Sequence, residues 1–486
     1  MDAASDPLLS FAPIADIDPA SLLQPEVPTS AGILSPGLRA LTIGMVVLIA
    51  LCAFEALAVA TAMPAVAQAL DGLSLYALSF GSTLAASLVG MVAAGRCCDR
   101  RGPAPALWAG VALFVAGLLL SGLAPAMIWL LGGRIVQGLG SGAISVASYV
   151  VVARAYAAAL QPRVFAAFSA AWVIPSLLGP TLSALIVQHI GWRAVFLLVP
   201  LVAIAAALAL RPGLRARALR EPVPASGGGP MPRHLGWAIV AAGAACLLDP
   251  VSRSPTFAAT VATGAVLAGL LTSALHLLPA GTLCARRGLP SVIALRGISS
   301  AAFFGSEAFI PLMLAREHRL SALCAGAALT LGALGWSASS WYQGNTRRPW
   351  PRVRLLEIGM SLLSLGIALI GAVAAAHALA SVPLADDIVL ACIIAAWLVA
   401  GLGMGLVSPS LSVLTLTLSP LSEQGRNSSA MALAQALATA VVLTLGGSLL
   451  TRLLQHAPAY AYAASFGVNA SLALAGLAMS SRVRAG

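Results

Sequence analysis

The chain has 486 residues, of which 59% are hydrophobic and 9% charged, with a formal net charge of +11. Soluble domains carry roughly a quarter charged residues, so this composition excludes an ordinary globular enzyme and leaves room for many spans of about 20 residues each. The positive charge does not indicate nucleic acid, because the arginines are dispersed among loops rather than gathered on one face.

Residues 1–38 hold five acids and no Lys or Arg. The basic start of a secretory signal is missing, and the Pro, Ala and Asp content reads as a disordered cytoplasmic tail. Six apolar stretches follow, at 40–64, 73–94, 104–125, 127–153, 164–188 and 192–210. Between the second and third, Gly95-Arg96-Cys97-Cys98-Asp99-Arg100-Arg101-Gly102 reads as a short charged turn that must leave the hydrocarbon. Residues 211–234, with five arginines, several prolines and a glycine run, read as a cytoplasmic linker. Two further stretches lie at 235–251, short and ending near Asp249, and at 256–279. Six more lie at 291–315, 321–343, 353–379, 387–418, 427–453 and 459–481.

These stretches predict an all-α polytopic membrane protein of about 14 transmembrane helices. The expected organisation is an N-terminal six-helix bundle (39–210), the linker, two additional helices (235–289) and a C-terminal six-helix bundle (290–486). With the N-terminus inside, 20 of the 27 arginines fall at cytoplasmic ends, which sets the orientation with both termini cytoplasmic. The seven cysteines are odd in number and lie mostly in apolar runs, and adjacent Cys97 and Cys98 lack ligand spacing, so neither a disulfide framework nor a metal site is expected.

An internal repeat supports two halves. Residues 138–145 read GLGSGAIS and residues 401–408 read GLGMGLVS, an offset of 263 that also carries Arg163 onto Arg426. At an offset of 252, Glu55 in the first span matches Glu307 in the first span of the second half. Two parallel six-helix repeats are the simplest account.

Charge inside hydrocarbon needs a reason. Glu55, Arg134 and Glu307 lie deep in their spans, whereas Arg296, near a helix end, is expected to snorkel. At about 1.5 Å per residue, Glu55 and Arg134 lie roughly 13 and 10 Å from the outer ends of spans one and four. They meet if those spans are neighbours. Glu55 is then readable as a proton-coupling carboxylate, as a fixed ion pair, or as a substrate contact. Glu307 is readable as a second protonation site, a contact for a cationic substrate, or a packing residue. Pro175 and Gly179-Pro180 interrupt span five, as a bend that shapes the cavity or as a fixed kink.

Four motifs resemble the major facilitator superfamily, and within it the fourteen-span drug:proton antiporters. Gly95-x-x-x-Asp99-Arg100-x-Gly102 is similar to the superfamily's loop between spans two and three. Arg134-x-x-Gln137-Gly138-x-Gly140 resembles its proton-linked motif in span four. Glu55 through Ala62-Met63-Pro64 resembles its first-span motif, with Glu for the more usual Asp. Gly191-Trp192-Arg193 with Phe196 resembles the entry to span six. The resemblance covers residues 40–485. It implies a cavity lined by spans one and four of each half, opened alternately to either side. It also implies Asp99 and Arg100 as parts of a cytoplasmic latch between Gly95 and Gly102, and Arg134 as a modulator of proton exchange. Two departures stand out: Pro103-Ala104 replaces the basic residues after the loop, and Thr181-Leu182-Ser183-Ala184 replaces the glycine pair after Gly179-Pro180.

The expected function is proton-coupled efflux of small amphipathic or cationic compounds across the cytoplasmic membrane. The alternatives are transport of one metabolite and a non-transporting sensor on the same fold. Neither a nucleophile constellation nor a phosphate-binding loop is present in the sequence, so an enzyme and an ATP-driven pump are not expected. The expected partners are a small-molecule substrate, protons and the lipid bilayer, with no nucleic acid, cofactor or metal, and the chain is expected to act as a monomer.

Overall fold

Hydrocarbon offers a backbone no hydrogen-bond partner but itself, so a chain of this composition must fold as helices or a closed barrel. The computed structural model answers with helices. It describes residues 32–216, 219, 231–252, 256–317, 322–346, 350–379 and 385–484. Most of the predicted tail and the middle of the predicted linker lie outside these residues.

The first half comprises α1 (Arg39–Ala69), α2 (Tyr76–Arg101), α3 (Pro103–Gly122), α4 (Met127–Ala155), α5 (Gln161–Ala170), α6 (Val173–His189) and α7 (Trp192–Leu214). A hairpin of α8 (Met231–Ser252) and α9 (Phe257–Leu277) follows. The second half comprises α10 (Leu289–Glu307), α11 (Phe309–Glu317), α12 (Ala322–Asn345), α13 (Arg352–Leu379), α14 (Asp386–Thr417), α15 (Gln424–His456) and α16 (Ala461–Met479).

Among the described residues, twelve helices are long and apolar enough to cross a membrane, against the fourteen expected. The two expected spans that fall short are 235–251 and 321–343. Both are helical. In α8 the side chains are described only over Arg233–Leu248, an apolar stretch shorter than a full span. The beginning of 321–343 lies outside the described side chains. The predicted turn at 95–102 is corrected more sharply. Gly95 through Arg101 is still helix, and the chain turns only at Gly102, whose φ of 82° suits glycine. Arg100 and Arg101 favour the helix C-terminus electrostatically, and Pro103 starts α3 where a missing N–H costs nothing.

Large apolar side chains point outward: Leu84 is 71% exposed, Leu201 66% and Trp129 61%. On a water-soluble protein such a surface would aggregate; here it faces lipid. Inside, packing divides into two main clusters. One is built mainly from α1 to α7 around Phe114, Phe196 and Met45, with Val413 and Leu416 of α14 joining it from the second half; the other is built from α10 to α16 around Trp397, Phe466 and Met360. A third cluster joins Ala238, Ala241 and Leu270 of the hairpin to Leu88 and Val92 of α2 and Leu433 and Leu437 of α15. The hairpin therefore lies across the seam between the halves.

The sequence repeat has a structural counterpart. A Cβ on Gly138 would enter the Thr83 carbonyl of α2, and one on Gly140 the Phe114 backbone of α3. At the same offset, Gly401 meets the Gly332 carbonyl of α12 and Gly403 the Gly359 carbonyl of α13. In each half the fourth helix is held against the second and third by small residues, as close backbone approach in membranes requires. Beyond the end of α4, Tyr156 shares a hydrogen bond of 2.8 Å with Thr42 of α1. Burial pushes its hydroxyl up to about 12, so it stays protonated.

Candidate functional site

Glu55 of α1 and Arg134 of α4 are 5% and 4% exposed. Arg134 Nη1 donates to Glu55 Oε1 and also to Gln137 Oε1, at 2.8 Å. The structure thus brings together two predicted site residues 79 positions apart. The close seating of Gly138 and Gly140 fixes α4, with Gln137 next to Gly138 and Arg134 one turn before it on the same helix. One turn beyond Glu55, the Ser183 hydroxyl of α6 donates to the Ala58 carbonyl at 2.7 Å, so a third helix braces this part of α1. Arg134 Nε and Gln137 Nε2 are buried without a partner.

Glu307 is different. It closes α10 and is half-buried, and no described residue forms a hydrogen bond or ion pair with its carboxylate. The reason lies in the repeat. The offset of 263 that aligns the glycine motifs carries Arg134 onto Trp397 of α14. Trp397 is wholly buried and stacks on Phe303 with ring centroids 4.5 Å apart at 22°, and Phe303 meets Trp336 edge-on at 5.2 Å. The second half keeps the acid and replaces its partner with an aromatic cluster.

The predicted latch lies where the ends of α2 and α15 meet. Asp99, 7% exposed, accepts hydrogen bonds from the backbone N–H groups of Gly425 (2.7 Å) and Arg426 (2.8 Å). A carboxylate at a helix N-terminus is favoured by the unpaired amides and the dipole there. Gly95 and Gly425 are each pressed against the other's carbonyl, leaving no room for a side chain on either. Arg100, read beside Asp99 as a latch residue, is exposed and takes no part in this hydrogen-bonded set. Arg426 instead pairs with Glu423 at 2.6 Å. A second contact across the halves was not read from the sequence: Arg163 Nε of α5 donates to the Gly344 carbonyl near the end of α12 at 2.9 Å. The offset that carries Arg163 onto Arg426 was the signal, since both sit at the start of the fifth span of their half.

The interruption of span five falls earlier than its prolines. Helix α5 ends at Ala170 and α6 begins at Val173. Pro175 lacks the N–H that would reach Ala171, and its ring displaces that carbonyl, which accounts for a break four residues upstream. Gly179 and Pro180 lie inside α6, where a Cβ on Gly179 would only touch Leu57 and Phe54 of α1.

Arg296 does not snorkel. It is 6% exposed, its Nε donating to Gln435 Oε1 at 2.8 Å and its Nη1 to Ser408 Oγ at 2.6 Å and Ser408 O at 3.2 Å. It ties α10 to α14 and α15. The polar residues that hold it are spread over two other helices, and nothing local to Arg296 announced them.

The family model described as Major Facilitator Superfamily matches residues 44–443. Multidrug resistance protein Stp of Mycobacterium tuberculosis is 33% identical over 147 residues, covering 29% of this chain and 27% of the relative. Multidrug resistance protein 3 of Bacillus subtilis is 29% identical over 154 residues, covering 32% and 30%. The chain therefore matches less than a third of the length of these curated relatives. Among solved structures, the human organic anion transporter MFSD10 superimposes with a TM-score of 0.66 at 15% identity, covering 92% of this chain and 99% of that one. The proton:xylose symporter XylE superimposes with a TM-score of 0.64 at 16% identity, covering 90% and 94%.

Proposed function

The chain belongs to the Major Facilitator Superfamily, and on that footing we propose that it exports small amphipathic or cationic compounds across the cell membrane in exchange for protons. The arginine-rich end, with Gly102 and both termini, is taken as cytoplasmic. Contacts between the halves at that end, through Asp99 and Arg163, support transport by alternating access, in which the halves part there when the cavity opens inward.

The observation that carries the reading is the contrast between the two acids. A carboxylate in hydrocarbon must be met by a cation or a proton. Glu55 has its cation in Arg134. Glu307 has none among the described residues, so a proton or a cationic substrate fills that role in turn. The two ligands compete for one carboxylate, and that competition is what exchange requires. In this reading the Glu55–Arg134–Gln137 group fixes the first and fourth helices of its half, and Glu307 handles the coupling. The names of the two bacterial relatives agree with efflux of drugs.

The reading is tested in vesicles with an imposed pH gradient and a fluorescent cation such as ethidium. Gradient-dependent movement of the dye that stops when nigericin collapses the gradient is expected. Movement indifferent to the gradient, or none above protein-free vesicles for a panel of such compounds, would contradict it.

A further inference from the structure

The membrane interior holds a second cation, and among the described residues nothing negative meets it. Arg296 lies two turns into α10, about 10 Å from the end at Leu289 at roughly 1.5 Å per residue. Its Nε and Nη1 are taken by neutral acceptors, the side chain of Gln435 and both oxygens of Ser408. Its Nη2 donates to no described group. A guanidinium buried with no counter-charge is costly, and removing it from water is repaid only by an anion of good geometry.

The groups beside it have hydrogen bonds to spare. Ser300 follows Arg296 by four residues, one turn further along the same face of α10. It is 0% exposed, and its hydroxyl has no partner. Thr439 stands in the same relation to Gln435 on α15, and its Oγ1 is likewise buried without a partner. The two helices advance in parallel: a Cβ on Gly297 would meet Ala434 and Ala438, and one on Gly305 would meet Val442. Ser300 and Thr439 therefore stand at matching heights, one turn beyond the Arg296–Gln435 hydrogen bond. Buried polar atoms without partners are rare in native proteins and call for an explanation.

We propose that this cluster is an anion subsite that takes the carboxylate of an amphipathic transported compound. Arg296 Nη2 supplies the charge, and the hydroxyls of Ser300 and Thr439 donate to the remaining lone pairs of the carboxylate. Gln435 and Ser408 hold the guanidinium in place. The ligand enters when α15 parts from α2 at the Asp99 contact. The proposal shares the transport reading above but not its proton step, so it is tested by binding alone, without flux.

The measurement is calorimetric titration of benzoate into the full chain in lipid nanodiscs, with benzyl alcohol as the neutral analogue. Benzoate is expected to bind at least about tenfold more tightly than the alcohol, and Arg296→Gln to remove that preference. Ser300→Ala combined with Thr439→Val leaves the bonds of Arg296 intact and is expected to weaken benzoate about fivefold. This pair keeps the test decisive if Arg296→Gln does not fold. Equal affinity for benzoate and the alcohol, benzoate affinity unchanged in the Ser300/Thr439 variant, or the preference for benzoate kept in a folded Arg296→Gln, would each overturn the proposal. Chloride that displaces benzoate at equal concentration would overturn the assignment to an organic carboxylate.

Discussion

Two glutamates at matching places in a repeated fold have unlike surroundings, and single substitutions should separate them. Glu55→Gln leaves Arg134 buried with its charge unmet, a loss on the order of 3 kcal/mol. A clear fall in the thermal midpoint of the detergent-solubilised protein is expected. Glu307→Gln strands no described partner and should leave the midpoint close to the native value. Equal falls for both would mean that Glu307 has a partner as strong as Arg134. The pairing of Glu55 with Arg134 was legible in the sequence, because each is a lone charge in an apolar span and their depths agree. That Glu307 stands alone was not legible from Glu307 itself. It becomes so only when the repeat offset is applied to Arg134 and lands on Trp397. Arg296 was misread for a related reason: distance from a helix end says how far a side chain must reach, not whether neighbouring helices already hold it.

At the scale of elements, the glycine motifs set how closely helices approach. Gly138→Leu would drive a side chain into the Thr83 carbonyl of α2; overpacking of this kind costs about 1–3 kcal/mol. Gly401→Leu would do the same against α12. Both variants are expected to lower the thermal midpoint, whereas Gly132→Leu, with open space around it, should not. A Gly138→Leu protein as stable as the native one would show that α2 and α4 are not packed this closely. The spans themselves were easy to read, since long apolar runs are a strong signal. Their boundaries were less so. Arginine and aspartate end a hydrophobic run without ending a helix, so α2 runs on to Arg101. A proline acts on the turn before it, so the break in the fifth span precedes Pro175.

For the whole molecule, the account makes the seam between the halves the moving part. Two hydrogen-bonded contacts cross it, Asp99 with α15 and Arg163 with α12, apolar packing such as Leu88 with Leu433 adds to them, and the α8–α9 hairpin lies across it. A Cβ built on Gly344 lies 3.2 Å from that of Ala166, near disulfide reach. The pair Ala166→Cys and Gly344→Cys is therefore expected to crosslink the halves on oxidation, to stop transport, and to recover on reduction. Transport that continues through a complete crosslink would mean that the halves do not part there. Two repeats and one side of the seam, Asp99, could be read from the sequence, but the partners across it could not, because Gly344 and Gly425 carry no side chain to mark them as contacts.

The central claim is that Glu307 exchanges protons while Glu55 holds structure, and flux in vesicles tests it most directly. Two rates are needed for each variant: accumulation driven by a pH gradient, and exchange of labelled for unlabelled compound with no gradient. The account predicts that Glu307→Gln loses gradient-driven accumulation and slows exchange of a cationic compound, whereas a folded Glu55→Gln keeps both. Glu307→Gln that accumulates compound in response to the gradient as the native chain does would contradict it.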